Sequence, residues 1–166
     1  MKKLLALFVV VLGFSAVSFG QSSAVASATA TLVTPLSILK TADLNFGVLS
    51  SSSTIGTATI STDGTTINTT GGVKSISTLG LSAAIFDVNG ANDANLTITY
   101  PTTFPIKLMN GTDEVSITAL SNTAGTKLSS TGNLPITMGA TLSIPANSKA
   151  GVYSNNTALS VTVNYN

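Results

Sequence analysis

Residues 136–165 read ITMGATLSIPANSKAGVYSNNTALSVTVNY. Ile136 to Ile144 reads as one strand and Pro145 to Gly151 as a loop. Leu159, Val161, Val163 and Tyr165 then alternate with Ser160, Thr162 and Asn164, the period of a strand with one face on a core and the other in water. The same grammar extends towards the N-terminus. Short segments of strand type run over Leu36–Leu39, Leu44–Leu49, Thr57–Ser61, Val73–Leu79, Ala83–Val88, Leu96–Tyr100, Ile106–Met109 and Val115–Leu120. Between them lie Asp63-Gly64, Gly71-Gly72, Asn89-Gly90, Asn110-Gly111, Ala124-Gly125 and Thr131-Gly132-Asn133, which supply positive φ or side-chain-to-backbone turns. No window of the chain after residue 20 shows sustained helical periodicity. Many short strands between such turns predict an all-β protein, an antiparallel immunoglobulin-like β-sandwich.

The N-terminal part reads differently. Lys2 and Lys3, the apolar run Leu4–Val17 and the small residues Ser18 and Gly20 predict a secretory signal peptide over residues 1–20, cleaved before Gln21. The run is shorter than the roughly 20 apolar residues that span a bilayer, and no second run follows, so no membrane span is expected after removal of the signal. Residues 21–166 are expected to form a single β-sandwich domain, exported to the periplasm, the cell surface or the medium. That domain would open with Ala24, Ala26, Ala28, Ala30 and Leu32 on one face of a strand, and Val25, Ser27, Thr29, Thr31 and Val33 on the other.

Composition removes most chemistry. The chain of 166 residues contains no histidine, cysteine, tryptophan or arginine, so catalytic relays through His or Cys, disulfides and the usual zinc sites are excluded. Only 8% of residues are charged, against roughly 25% in ordinary soluble proteins. Polarity comes instead from 48 serines and threonines. Beyond residue 20, five lysines face six acids, a net charge of −1 that offers nucleic acid no electrostatic purchase. No catalytic, cofactor-binding or metal site is expected, and the chain reads as a non-enzyme.

Asp87, Asn89, Asn92 and Asp93 in DVNGAND carry oxygens suited to a hard cation, but the spacing is not that of a calcium loop and a tight turn wants the same residues. Asp113 and Glu114 are adjacent in a strand and point to opposite faces, which suits no acid–base pair. Asp43 and Asp63 sit in turns. Asn68, Asn95, Asn110 and Asn155 begin Asn-x-Thr triplets, which abundant threonine supplies by chance. Tyr100, Tyr153 and Tyr165 with Phe46, Phe86 and Phe104 offer either core packing or a platform for sugar rings.

Three stretches together carry a family resemblance: Ala28–Gly47 (ATATLVTPLSILKTADLNFG), the Gly71-Gly72-Val73 step, and Leu142–Tyr165 (LSIPANSKAGVYSNNTALSVTVNY). They resemble the DUF4402 family of exported bacterial β-proteins of unassigned function. That family is similar in character to spore coat protein U and to archaic chaperone-usher pilin subunits, incomplete immunoglobulin-like sandwiches joined by exchange of a strand. The penultimate Tyr165 on an alternating C-terminal strand and the alternating segment from Ala24 fit that likeness. The missing disulfide and the small alanine row depart from it.

Strand edges carry the functional expectation. Ala24–Val33 and Val152–Asn166 contain no charge, and uncharged edges invite pairing with another chain. The sequence therefore predicts an exported structural or adhesive surface protein, including a pilus-like subunit, assembling through Ala24–Val33 and Leu159–Tyr165. Its expected partners are further copies, other surface proteins by strand addition, and a periplasmic chaperone. The alternative is a monomeric glycan- or matrix-binding module using Tyr153 or Tyr100. A carboxylate-only hydrolase is the third reading.

Overall fold

A computed structural model describes residues 20–166. The expected signal peptide falls almost wholly on residues 1–19, outside the described residues. The chain divides into two units at Leu32/Val33. In the first, the described residues 20–32 form no helix or strand and every one is exposed.

Residues 33–166 carry eleven strands and, among the described residues, no helix. They are β1 (Ser37–Ala42), β2 (Val48–Ser50), β3 (Gly56–Ile60), β4 (Ile67–Thr69), β5 (Lys74–Ser77), β6 (Ala84–Asn89), β7 (Leu96–Thr99), β8 (Ile106–Asn110), β9 (Asp113–Asn122), β10 (Asn133–Ile144) and β11 (Thr162–Tyr165). Every pairing is antiparallel. Seven strands form one curled, half-barrel sheet, and β7–β11 and β2–β5 form two small sheets. The fold is all-β and antiparallel, as the periodicity predicted.

β10 is the spine. Its first half, Asn133–Met138, pairs with β6; its second half, Ala140–Ile144, pairs with β3 along the same edge, while β9 occupies the opposite edge from Met138 onward. Gly139 stands at the change of partner. A Cβ there would lie 2.4 Å from the Ile60 carbonyl oxygen, so only glycine lets the two strands meet. Pro135 lies where the other edge of β10 has no strand partner, the place in a sheet where a missing N–H costs nothing.

Alternation puts Ile136, Met138, Ala140, Leu142 and Ile144 into the core and Thr137, Thr141 and Ser143 outside. In β9 the inward residues Val115 and Ile117 are followed by Leu120, a step of three instead of two. A bulge at Thr118 absorbs the extra residue and returns Leu120 to the inner face. The outer face explains the hydroxyl-rich composition. Thr59 meets Thr141 across β3 and β10 at 3.0 Å, Thr57 meets Thr70 at 2.7 Å, and Thr123 meets Thr137 at 3.0 Å. Neutral cross-strand pairs stand where many sheets use charges.

The core has two parts. Phe46, Ala58, Ile60, Val73, Val115, Ile117, Ala140, Leu142 and Ile144 pack around the second half of β10. Ala84, Phe86, Val88, Leu96, Leu128, Ile136 and Met138 pack around the first half, with Val161, Val163 and Tyr165 laid against them.

Two expectations about strands need correction. Ala24–Val33 is no strand in the structure. Hydrogen-bonded ladders define strands, and four alanines bury too little surface to hold such a segment without a partner. The C-terminal strand begins at Thr162, not Leu159, and one of its edges is already used, because Thr162–Tyr165 pairs with Leu96–Thr99. β4, which contains only three residues, was not anticipated.

Candidate functional site: an open apolar groove

A groove of about 1120 Å³ opens in the folded unit. One wall is the segment from Asp43 to Ser51 and the other runs from Ser148 to Leu159. Its floor is core: Ala84 and Phe86 of β6, Leu108 of β8, Val115 and Ile117 of β9, and Leu142 and Ile144 of β10. The walls are joined at one end, where Ser51 Oγ donates to the Ser148 carbonyl at 2.8 Å and the Asn147 N–H to the Ser52 carbonyl at 2.8 Å. Tyr153 stiffens the second wall by donating its hydroxyl to the Lys149 carbonyl at 2.9 Å. At the mouth, Val48, Leu79 and Val152 are 47%, 81% and 83% exposed. Single exposed apolar residues are ordinary; three around one apolar groove form a patch of the kind that marks an interaction site.

The groove walls are only partly hydrogen-bonded as strands. On one side Asn45 exchanges backbone bonds with Ser82 at 2.8 and 3.0 Å, and β2 pairs with β5. On the other, Ser154 exchanges two 3.0 Å bonds with Met109, and Asn155 Nδ2 donates to the Lys107 carbonyl at 2.8 Å. Those contacts cover part of the free edge of β8.

The residues weighed in sequence scatter. Asp87 lies within β6 between Leu39 and Pro135, whereas Asn89 Oδ1 accepts from Asn133 Nδ2 at 3.1 Å. Asp93, at φ 56°, pairs with Lys127 at 3.0 Å. Of the DVNGAND side-chain oxygens, those of Asn89 and Asp93 are engaged by neighbours, and among the described residues no cluster of three or more acids forms. Asp113 and Glu114 take different lysines, Lys149 at 3.0 Å and Lys107 at 2.8 Å. Asp43 pairs with Lys40 at 2.5 Å beside the groove mouth. These ion pairs are solvent-exposed and contribute little to stability. Asp63 is held below the usual carboxylate range, first by the Ser61 hydroxyl and then by the Thr65 N–H, which donates at 2.9 Å.

The aromatic residues separate into two groups. Phe46, Phe104 and Tyr153 belong to the second-half core, and Phe86, Tyr100 and Tyr165 to the first. No single platform gathers them, although Phe46, Phe86 and Tyr153 all line the groove. Tyr165 has a separate task. Its hydroxyl accepts from the Ala91 N–H at 2.7 Å and donates to the Thr34 carbonyl at 2.7 Å, tying the C-terminal strand to the start of the folded unit. Gly90 makes room for it, since a Cβ at that position would lie 2.2 Å from the hydroxyl.

The sequence did not reveal the groove. Val48 and Leu79 read there as members of the strand segments Leu44–Leu49 and Val73–Leu79, and Val152 as part of the C-terminal stretch, with nothing to bring the three together.

The profile of a domain of unknown function, DUF4402, matches residues 36–165, nearly all of the folded unit. The chain belongs to the DUF4402 family. The match covers two of the three stretches that carried the resemblance and all but the first eight residues of the other, Ala28–Pro35, which lie outside it. Neither a curated protein nor a solved structure matches this DUF4402 chain. In DUF4402 terms, the groove lies wholly inside the family domain, and the exposed segment 24–33 lies outside it.

Proposed function

We propose that this protein is an exported structural or adhesive surface subunit that associates by β-strand addition, in the manner of a pilus-like assembly. One observation carries the reading: Ala24–Val33, uncharged and alternating, is exposed throughout and belongs to no strand. An exposed, alternating segment outside any strand ladder is suited to pairing with the edge of another chain. The likeness to spore coat protein U and to archaic pilin subunits belongs to the same proposal. So does an immunoglobulin-like sandwich, with β7–β11 as part of a second layer left incomplete over the curled sheet. The proposed locations are the periplasm, the cell surface or the medium, and the proposed partners are further copies, other surface proteins and a periplasmic chaperone. No catalytic step enters this function.

The test is the size of protein lacking residues 1–20, measured at high concentration with and without cell extract. Assembly is expected, and it should disappear when residues 21–33 are also removed. A strictly monomeric species under all these conditions overturns the reading. A second reading, glycan binding, draws on Tyr153 in the groove wall. It predicts saturable binding lost in Tyr153→Ala, and a blank glycan array ends it.

A further inference from the structure

We infer that two small patches of the folded unit, one around Lys74 and one around Asp87, form a head-to-tail contact between copies of this chain. The contact is separate from strand addition and does not use residues 21–33.

Charge pairing singles out the two residues. Among the described residues, Lys40, Lys107, Lys127 and Lys149 pair with Asp43, Glu114, Asp93 and Asp113 respectively. The Asp63 carboxylate is taken up by Ser61 and Thr65. One lysine, Lys74, and one acid, Asp87, are left with no ion pair among the described residues. Asp87 stands within β6, turned to the outer face because Phe86 and Val88 on either side of it are buried. Aspartate is depleted from strands, and nothing in the described chain compensates it here. Across the sheet it is flanked by Leu39 of β1, 64% exposed, and by the exposed Pro135 of β10. Lys74 opens β5, turned outward after the buried Val73 and two residues before Ile76, which is 63% exposed. Ile55, equally exposed, has its carbonyl against Gly71 in the turn that leads to β5.

Exposed apolar side chains are ordinary by themselves; here each pair of them accompanies the one charge of its sign left unpaired. Complementarity selects a second copy as the partner, because the same chain presents both signs, once each, on two different sheets. The ion pair sets orientation and register, and the apolar neighbours supply the area that leaves water. An exposed ion pair contributes little by itself, and patches of a few residues are far smaller than a stable interface. The contact therefore orders copies that are already close and does not hold an assembly alone. Because its two sides differ, it can repeat along a row of copies.

Carbodiimide coupling at high protein concentration tests it, since the reagent joins an amine and a carboxylate in contact as an amide and takes up the water as its urea. Lys74→Asp and Asp87→Lys variants, each lacking residues 1–20, are mixed in equal amounts. An amide between Lys74 of one and Asp87 of the other is expected, a link that neither variant can make alone. It should exceed chance coupling of Lys74 to the exposed Asp63 several-fold, fall several-fold at high salt, and persist when residues 21–33 are removed from both variants. Protein with neither substitution, mixed with an isotopically labelled copy, keeps the test independent of how the variants fold: the same link should join labelled to unlabelled chains, and Asp87→Asn should remove it. No excess over the Asp63 link, no loss at high salt, dependence on residues 21–33, or a link confined to single chains overturns the contact. Strand addition stands or falls separately, on whether assembly of the unsubstituted protein is lost with residues 21–33.

Discussion

The two halves of β10 carry the same alternation and end in different surroundings. Ile136 and Met138, in the first half, are roofed by Leu96 of β7 and by Val163 and Tyr165 of β11. Leu142 and Ile144, in the second, form part of the floor of an open groove. Both halves are covered by the chain itself, the first by the paired strands β7 and β11 and the second by Phe46, Phe104 and Tyr153 from segments outside the strands. Leu142 and Ile144 are nonetheless only 5% exposed, so what the groove leaves in water is its mouth, at Val48, Leu79 and Val152. A half covered by paired strands and a half covered by irregular segments differ in how firmly the cover is held, because irregular segments have fewer ladder hydrogen bonds to break on opening.

The sharpest way to break this contrast is a pair of truncations. Leu96→Ala, beneath β11 at 2% exposure, is expected to cost about 2–5 kcal/mol in chemical denaturation, whereas Leu108→Ala, in the groove floor and only partly buried, should cost less in the monomer. Equal losses would mean that the groove is closed in solution. Next in size is Gly90→Ala, which drives a methyl group into the Tyr165 hydroxyl and should destabilise by about 1–3 kcal/mol, measured in the same way. Tyr165→Phe keeps the ring and removes both hydroxyl bonds, to Ala91 and Thr34. A loss of about 1–2 kcal/mol is expected, with faster amide exchange at Ala91 as its local signature.

The smallest effect concerns acid. The Asp63 carboxylate is favoured in the folded state, so its contribution is present above the usual aspartate value of about 3.9 and is lost as pH falls through the lower folded value. Thermal melts of the unsubstituted protein should therefore drop slightly more than those of Asp63→Asn when pH is taken below about 4. The turn holding Asp63 joins β3 to β4 beside the second half. An equal drop in both proteins would remove this turn from the account of that half.

Much of the fold was readable because period two is a local property. Ile136–Ile144 falls inside β10, Thr57–Ser61 overlaps β3 and Ala83–Val88 overlaps β6, each with alternate residues facing inward. The Gly71-Gly72 turn takes positive φ at both positions, 63° and 86°. Pairing partners were not readable. Nothing in the residues around Gly139 announces that β10 changes neighbours there, and Gly90 looked like a turn glycine when its role is to clear space for Tyr165. Ala24–Val33 shows the limit most plainly, since alternation describes a capacity to pair and not a pairing.

By itself the sequence determined the class of object: a nearly uncharged, cysteine-free chain of short alternating segments can bury its apolar rows only in antiparallel sheets whose outer faces are covered by hydroxyls. Only the tertiary structure decided which half of the spine is covered by paired strands and which by segments outside the strands. A roof is a contact between segments far apart in the chain, and its position depends on where Tyr165 meets Thr34 and Ala91 rather than on the pattern of either segment alone.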